Sequence, residues 1–368
     1  VLNANDFFLN RKGQDRPVLR QNQFGFSLGG PIPAGKDFFF FTNYQGTRAA
    51  SGVSAGTTLG TNIPVLPTDR SQANLISTFF PNGLPPGYSG LDPVALAFLN
   101  LPASKCAGFN DGTFCIPSLS GVPGLKPSGA VNLANLSRAA LGTFDDNQYT
   151  ISIDKRLSTK DKVTGRWFSS VFDSIQPFGT SSLLPFQRSF PNTNRFLKLG
   201  WTRELSATKV NDFRYGFNRF TFSQAPDEPI GLSDIGAVRG NSDQFPAAFR
   251  VNVSGAFTMG TNVNDARGGA FNTFVGADDY SWAHGKHLLR MGGEIDRYQL
   301  NRFNQFGSRG NVSFANTGAN FGGPGIPPLV GFQNFLLGRI TSTQAGAGFF
   351  NFGFRATDAA AYFQDDWK

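Results

Sequence analysis

Few residues in this chain combine a reactive type with a spacing that chemistry can use. His284 and His287 stand three apart in His-Gly-Lys-His, a ligand spacing, but no nearby cysteine or carboxylate completes a metal set. Asp278-Asp279 and Asp365-Asp366 have the composition of an acid–base pair. Neighbours on a strand point to opposite faces, so neither pair can serve one substrate atom. No H-E-x-x-H helix and no complete Walker loop occur. Gly322–Pro328, GGPGIPP, is glycine-rich but lacks the strand and helix that frame a phosphate cradle, and Asn135-Leu136-Ser137 is a glycosylation sequon by pattern only. These residues point away from an enzyme, and no metal or cofactor is expected.

Cys106 and Cys115 lie nine positions apart in a Gly/Pro-rich stretch, which is neither a redox nor a zinc motif. The reading preferred is a short disulfide in an exposed loop, formed on an oxidising route; two free thiols are the alternative. Closing so short a loop is worth about 2–3 kcal/mol in the chain-entropy model.

The elements that would hold these residues are strands. The 368 residues include 40 Phe and 44 Gly but only 16% charged side chains, against about 25% in ordinary soluble domains. No apolar run reaches the 18 residues of a membrane helix, a test that says nothing about membrane strands. In Asn147–Phe172, NQYTISIDKRLSTKDKVTGRWFSSVF, alternate residues separate into two faces around the turn Ser158–Asp161. Each arm of about 11 residues, at roughly 3.3 Å per residue and tilted by about 45°, covers about 25 Å of depth. The same pattern recurs in Asn22–Ile32 with Asp37–Arg48, in Asn194–Glu204 with Lys209–Phe222, and in Ala270–Trp282 with His287–Arg302; Asn351–Lys368 begins another strand. The parity predicts that Tyr149, Ile151, Ile153, Trp167, Leu199, Trp201, Phe213, Tyr215 and Phe217 face lipid. It places Arg166, Lys198, Arg214, Arg290, Glu294 and Asp296 on the lumen side, where mutual pairing is the commoner role and contact with a plug or ligand the functional one.

Tight Lys-bearing turns alternate with long loops. In an antiparallel meander this places all tight turns at one end and all long loops at the other. The predicted fold is all-β, an antiparallel up-and-down transmembrane β-barrel segment of about nine strands of a larger barrel, with long extracellular loops. A sandwich or propeller requires neither such arms nor such segregation. The loop Ala49–Asp146 is too long for a passive connection, being either a small separate domain or a large functional loop, and holds predicted helices at Ser71–Phe80 and after Asp92-Pro93; a predicted short strand, Phe249–Val253, and a predicted helical turn, Val330–Gly338, fall in two later long loops. Loop aromatics Phe109, Phe114, Phe186, Phe190, Phe245 and Phe321 suit stacking on sugar or apolar ligands, or, more often, packing on one another. Net charge is +8, which suits phosphates of lipopolysaccharide; with no basic run of five, nucleic acid is not an expected partner.

Arg20–Arg48, Asn147–Trp167 and Ala361–Lys368 (AYFQDDWK) resemble the barrel of TonB-dependent outer-membrane receptors, specifically the Oar-like subgroup that carries a carboxypeptidase-regulatory-like domain, and Leu2–Arg11 resembles the segment after its first barrel strand. The resemblance covers the strands well and the loops poorly. It implies that residues 1–368 are part of a barrel of about 22 strands closed around a plug, with the plug, the TonB box and the remaining strands outside this fragment. It further implies a bacterial outer-membrane location, contact with lipid and lipopolysaccharide, a TonB complex acting through the plug, and uptake of a bulky solute such as a glycan, metal chelate or peptide. A structural, adhesive or protein-export barrel and a soluble β-rich carbohydrate-binding protein are the alternatives.

Overall fold

The computed structural model describes residues 4–5, 7–11, 16, 18–33, 35–54, 62–64, 66–106, 112–118, 126–128, 133–135, 139–179, 181, 186–240 and 243–368. Phe109, Ala34 of the first turn, and Leu136-Ser137 of the sequon lie outside them.

Nine long strands form the wall: β1 (Leu19–Pro31), β2 (Phe38–Ser54), β3 (Ala139–Arg156), β4 (Asp161–Gln176), β5 (Asn192–Ser206), β6 (Lys209–Pro226), β7 (Arg267–His284), β8 (His287–Asn304) and β9 (Asn351–Trp367). Each pairs antiparallel with the next in chain order. A two-residue strand, Arg188–Ser189, also fits between the loop ends of β4 and β6. Among the described strands the sheet is open, with β1 and β9 as edges. The tight turns join β1 to β2, β3 to β4, β5 to β6 and β7 to β8 at one end, and the long connections leave from the other. Turn chemistry explains the tight end. Gly285 takes a left-handed φ of 58° between β7 and β8, which glycine adopts without a Cβ penalty.

Register separates the wall into two faces. One ladder row reads Leu28, Thr42, Ile151, Trp167, Leu197, Phe217, Phe274, Arg297, Thr357 across the nine strands. The next row on that face, toward the tight turns, reads Gly30, Phe40, Ile153, Gly165, Leu199, Tyr215, Gly276, Ile295, Ala359. Directly opposed residues share a face, so this one is mainly apolar along the wall. Trp201, Trp282 and Trp367 mark its tight-turn end. Many of these side chains are solvent-exposed: Ile151 is 50% and Ile295 60% accessible, large values for apolar residues in a strand interior.

The strands are longer than alternation predicts. β3 starts at Ala139 and β2 runs to Ser54, so both ends of the stretch 49–146 belong to the wall. At about 3.3 Å per residue and a tilt of about 45°, an 18-residue strand covers about 42 Å of depth, well beyond an apolar band of about 25 Å. The extra length projects toward the long loops, where neither face needs to be apolar and period 2 fades.

The long connections are not separate loops. They condense into a cap with one hydrophobic core drawn from four of them: Leu75, Phe79, Phe98 and Ile116 from the first, Phe186 from the second, Ile230, Val251 and Phe257 from the third, Phe314, Phe332 and Phe335 from the fourth. Helices Gln72–Phe79 and Pro93–Leu99 are capped by the Ser71 and Asp92 side chains, the second cap as its sequence predicts, and Gly331–Leu336 is a third short helix. Phe79 meets the Phe332 ring edge-on at 4.9 Å, and Gln333 Nε2 donates to the Phe79 carbonyl at 2.9 Å. The cap carries its own four-stranded sheet, in which Arg250–Val253 runs parallel to Asn311–Phe314.

Candidate functional site: the polar face and the loop cap

The second wall face carries the charged residues. Its central row reads Gly29, Phe41, Ser152, Arg166, Lys198, Gly216, Val275, Asp296, Asp358. The neighbouring row contains Arg214 and Glu294, and Arg290 lies further toward the tight turns on the same face. All six residues singled out as lumen-side candidates therefore share this face. The nine lipid-side candidates, Tyr149 to Phe217, share the other.

Charge on the polar face is uneven. Arg166 and Lys198 are directly opposed on β4 and β5, and Asp296 and Asp358 are directly opposed on β8 and β9. Like charges facing each other destabilise a ladder. Arg214 is paired with Asp279 and lies 3.8 Å from Asp212, and Arg290 lies 3.7 Å from Asp366. No such ion pair joins Arg166, Lys198, Glu294 or Asp358 to a described residue within 4.0 Å. The face thus presents a basic patch on β4–β5 and an acidic patch on β8–β9.

Toward the cap the polar face turns aromatic. Phe168 opposes Phe196, and Phe220 opposes Phe271, which continues to Leu300 and Phe354 along one row. Phe220 and Phe222 stack at 6.0 Å, with Phe271 5.8 Å from Phe222. Phe354, on the edge strand β9, is 59% exposed, whereas Phe168, Phe220 and Phe222 are part-buried. Sequence reading missed this collar: these residues have the parity of the polar face, and alternation alone assigns that face polar side chains.

The cap holds a pocket of about 450 Å³, lined by Phe98, Phe249, Val251, Phe314 and Phe335, with Val238 and Ile340. That volume is in the range of small-ligand sites. Val238 is 92% exposed, an aliphatic side chain left in water beside an apolar hollow. Asp92 is the carboxylate at this site, but its Oδ1 already accepts the Ala95 N–H and caps the helix.

Polar contacts lock the cap. Lys105 Nζ donates to Asp234 at 2.9 Å, joining the first and third connections. That hydrogen bond, together with the Gly231 N–H, holds the Asp234 carboxyl below its ordinary range. At the junction with the wall, Gln224 of β6 donates to Asp265 Oδ1 at 2.6 Å, Arg267 of β7 donates to Gln224 at 2.7 Å, and Arg188 lies 3.6 Å from Asp265. Burial pushes the Asp265 carboxyl above its ordinary range, against the pull of Arg188.

The remaining candidates are structural in their contacts. Cys106 and Cys115 are bonded to each other and buried in the cap core, not in an exposed loop. Asp278 accepts from Asn211 on the apolar face at 2.6 Å, whereas Asp279 accepts from the Tyr362 hydroxyl on the polar face at 2.8 Å, so the two are split as strand geometry requires. His287 bonds Asp365 at 2.8 Å, while His284 packs on the Trp282 ring at 4.9 Å. Among the described residues no group of three His, Cys, Asp or Glu side chains could hold a metal ion. Among the loop aromatics, Phe186 and Phe245 are buried anchors; Phe114, Phe190 and Phe321 lie under the guanidinium groups of Arg70, Arg188 and Arg339. Motif reading passed over one pattern: Gly25-Phe26-Ser27-Leu28-Gly29 has the letters G-x-S-x-G. Ser27 sits mid-strand in β1 opposite Asn43, not on a strand-to-helix elbow, so no nucleophile geometry exists there.

The outer membrane beta barrel domain family model matches residues 1–368. No curated protein matches. Solved structures similar to the chain include two from Escherichia coli. The outer membrane transporter YddB from Escherichia coli is 9% identical, with a TM-score of 0.45, over 95% of this chain and 32% of that one. The ferric-catecholate import receptor Fiu from E. coli K12, in its open form, is 12% identical, with a TM-score of 0.32, over 94% of this chain and 44% of that one. The chain thus spans less than half the length of either structure. A wall with one apolar and one polar face, tight turns at one end and long connections at the other, matched by that family over all 368 residues, places the chain in the bacterial outer membrane as a member of the outer membrane beta barrel domain family.

Proposed function

We propose that this chain is part of the wall and capture cap of a TonB-dependent receptor of the Oar-like type, taking up a bulky solute such as a glycan, metal chelate or peptide. The observation that carries the reading is the cap. Four connections from distant parts of the chain share one hydrophobic core and hold an apolar pocket, and the polar face carries an aromatic collar on its loop side. Ordering so many residues costs conformational entropy that a passive connection would not require. The pocket belongs to the cap built from the long connections and the collar to the loop-side rows of the polar face, which suits capture followed by passage. Aromatic rings favour flat apolar or sugar faces. The opposed cations Arg166 and Lys198 and the opposed carboxylates Asp296 and Asp358 suit a charged plug or a charged solute inside the wall. The reading assigns no catalytic step and no cofactor.

The test is uptake. Cells producing the intact protein are offered a panel of glycans, ferric chelates and peptides. The comparison strains carry a version with residues 66–118 replaced by a short Gly/Ser linker, or lack TonB. Uptake of one panel member that disappears in both strains supports the reading, provided heat-modifiable migration shows that the barrel still folds. Uptake that survives loss of TonB overturns energised import, and cell attachment without any uptake favours the adhesive alternative.

A further inference from the structure

Four arginines interrupt the apolar face. Arg195 on β5 and Arg219 on β6 are directly opposed. The same ladder row continues through Asn272 and Gln299 to Arg355 on β9, and Arg297 on β8 lies one row nearer the tight turns, opposite Phe274 and Thr357. The contacts of three of these arginines are neutral. Arg219 donates to Asn272 Oδ1 at 2.9 Å, Arg297 to Thr357 Oγ1 at 2.5 Å, and Arg355 to Asn301 Oδ1 at 2.8 Å. No carboxylate occupies a directly opposed or diagonal position on this face, where the register places Ser169, Leu197, Phe217, Phe274, Gln299 and Thr357 among others.

Two opposed guanidinium groups beside an apolar belt are unfavourable unless an anion joins them, because their repulsion grows as the surroundings lose water. Position along the strand says where that anion would be. Arg195 and Arg203 stand on the same face of β5, eight residues apart, or about 26 Å along the strand and about 19 Å of depth at a tilt of about 45°. An outward apolar band is about 25 Å tall. The residues between them on this face are Leu197, Leu199 and Trp201. The apolar run of β5 ends at Arg195 on the loop side; Arg219 and Arg355 share that row and Arg297 lies one row within it, so the four arginines sit toward the extracellular side of the band, where the outer leaflet carries its head groups.

The arginines also form two pairs. Arg195 and Arg219 are one strand spacing apart, and Arg297 and Arg355 are diagonal neighbours on β8 and β9. With strands about 4.8 Å apart, β6 and β8 are separated by about 10 Å. We propose that these pairs bind the two phosphate groups of the outer-leaflet glycolipid, one phosphate to each pair, through the fork geometry that guanidinium offers to phosphate. The site rests on this face being lipid-facing and is independent of any solute.

The test uses the intact protein purified in detergent, with bis-phosphorylated lipid A and its dephosphorylated form as probes and native mass spectrometry as readout. Bis-phosphorylated lipid A is expected to bind at least ten-fold more tightly than the dephosphorylated form. The double variants Arg195→Gln/Arg219→Gln and Arg297→Gln/Arg355→Gln are each expected to lose at least ten-fold, with Arg166→Gln/Lys198→Gln unchanged. Equal binding of the two lipids, or undiminished binding by both outward double variants, overturns the site. Should a variant fail to fold, the comparison of the two lipids on the unmodified protein still decides. A nitroxide at Leu199→Cys in reconstituted membranes separates the levels. Accessibility to a water-soluble relaxant there would overturn the lipid-facing reading itself. Oxygen-only accessibility, together with phosphate-independent binding, would overturn the arginine site alone.

Discussion

Ile151 and Ser152 are neighbours on β3 with opposite duties, and the difference between their faces is testable. Ile151 belongs to the apolar row with Trp167 and Leu197, and Ser152 to the polar row with Arg166. Ile153→Arg, in the next apolar row with Gly165 and Leu199, is expected to cost about 2–4 kcal/mol of barrel stability, the range for a cation on the lipid face near the midplane, and Ser152→Arg well under half of that. Heat-modifiable migration and urea titration of the intact protein in lipid would show the difference; equal costs would remove the assignment of faces. A second residue-scale expectation concerns Asp234, held below its ordinary value of 3.8 by Lys105 and the Gly231 N–H. A lowered carboxyl contributes stability that is complete above its unfolded value and is lost as pH falls through its folded value. Cap proteolysis should therefore speed up on acidification below about pH 4. Asp234→Ala should reproduce the effect at neutral pH, weakening the cap by about 1 kcal/mol, the worth of a part-exposed charged hydrogen bond.

At the scale of elements, the tight turns, the strand alternation and the capped helices after Ser71 and Asp92 follow from short-range rules, and they fall where the residues indicate. The strand ends do not. β3 begins at Ala139 and β2 runs to Ser54, because outside the apolar band a strand is held by its ladder alone and needs no alternating pattern. The disulfide illustrates the same limit. Its spacing suggested an exposed loop, but Cys106 and Cys115 are both buried against the core that holds Phe98 and Ile116. Its reduction should weaken the segment 101–116 by about 2–3 kcal/mol in the chain-entropy model. Peptide mapping after limited proteolysis, with and without reductant, would show new cuts there while the wall strands remain protected.

For the whole molecule, the open edges and the cap make separate demands. β1 and β9 each have one described partner, so residues 1–368 expressed alone should aggregate through unpaired edges and through the apolar face left in water. Light scattering in detergent would compare the segment with the intact protein, and a monodisperse segment would contradict this. The amino-acid sequence by itself determined the two-faced strands, their up-and-down order and the segregation of short from long connections, because side-chain period, turn residues and helix caps act within a few positions. Only the tertiary structure decided that four connections make one cap, that Phe220, Phe271 and Phe354 form a collar on the polar face, and that Arg195 meets Arg219 on the apolar one. Those relations join residues from 24 to more than 200 positions apart. No local pattern encodes such distances, and they are set when register aligns the rows and the loops bury their apolar side chains together.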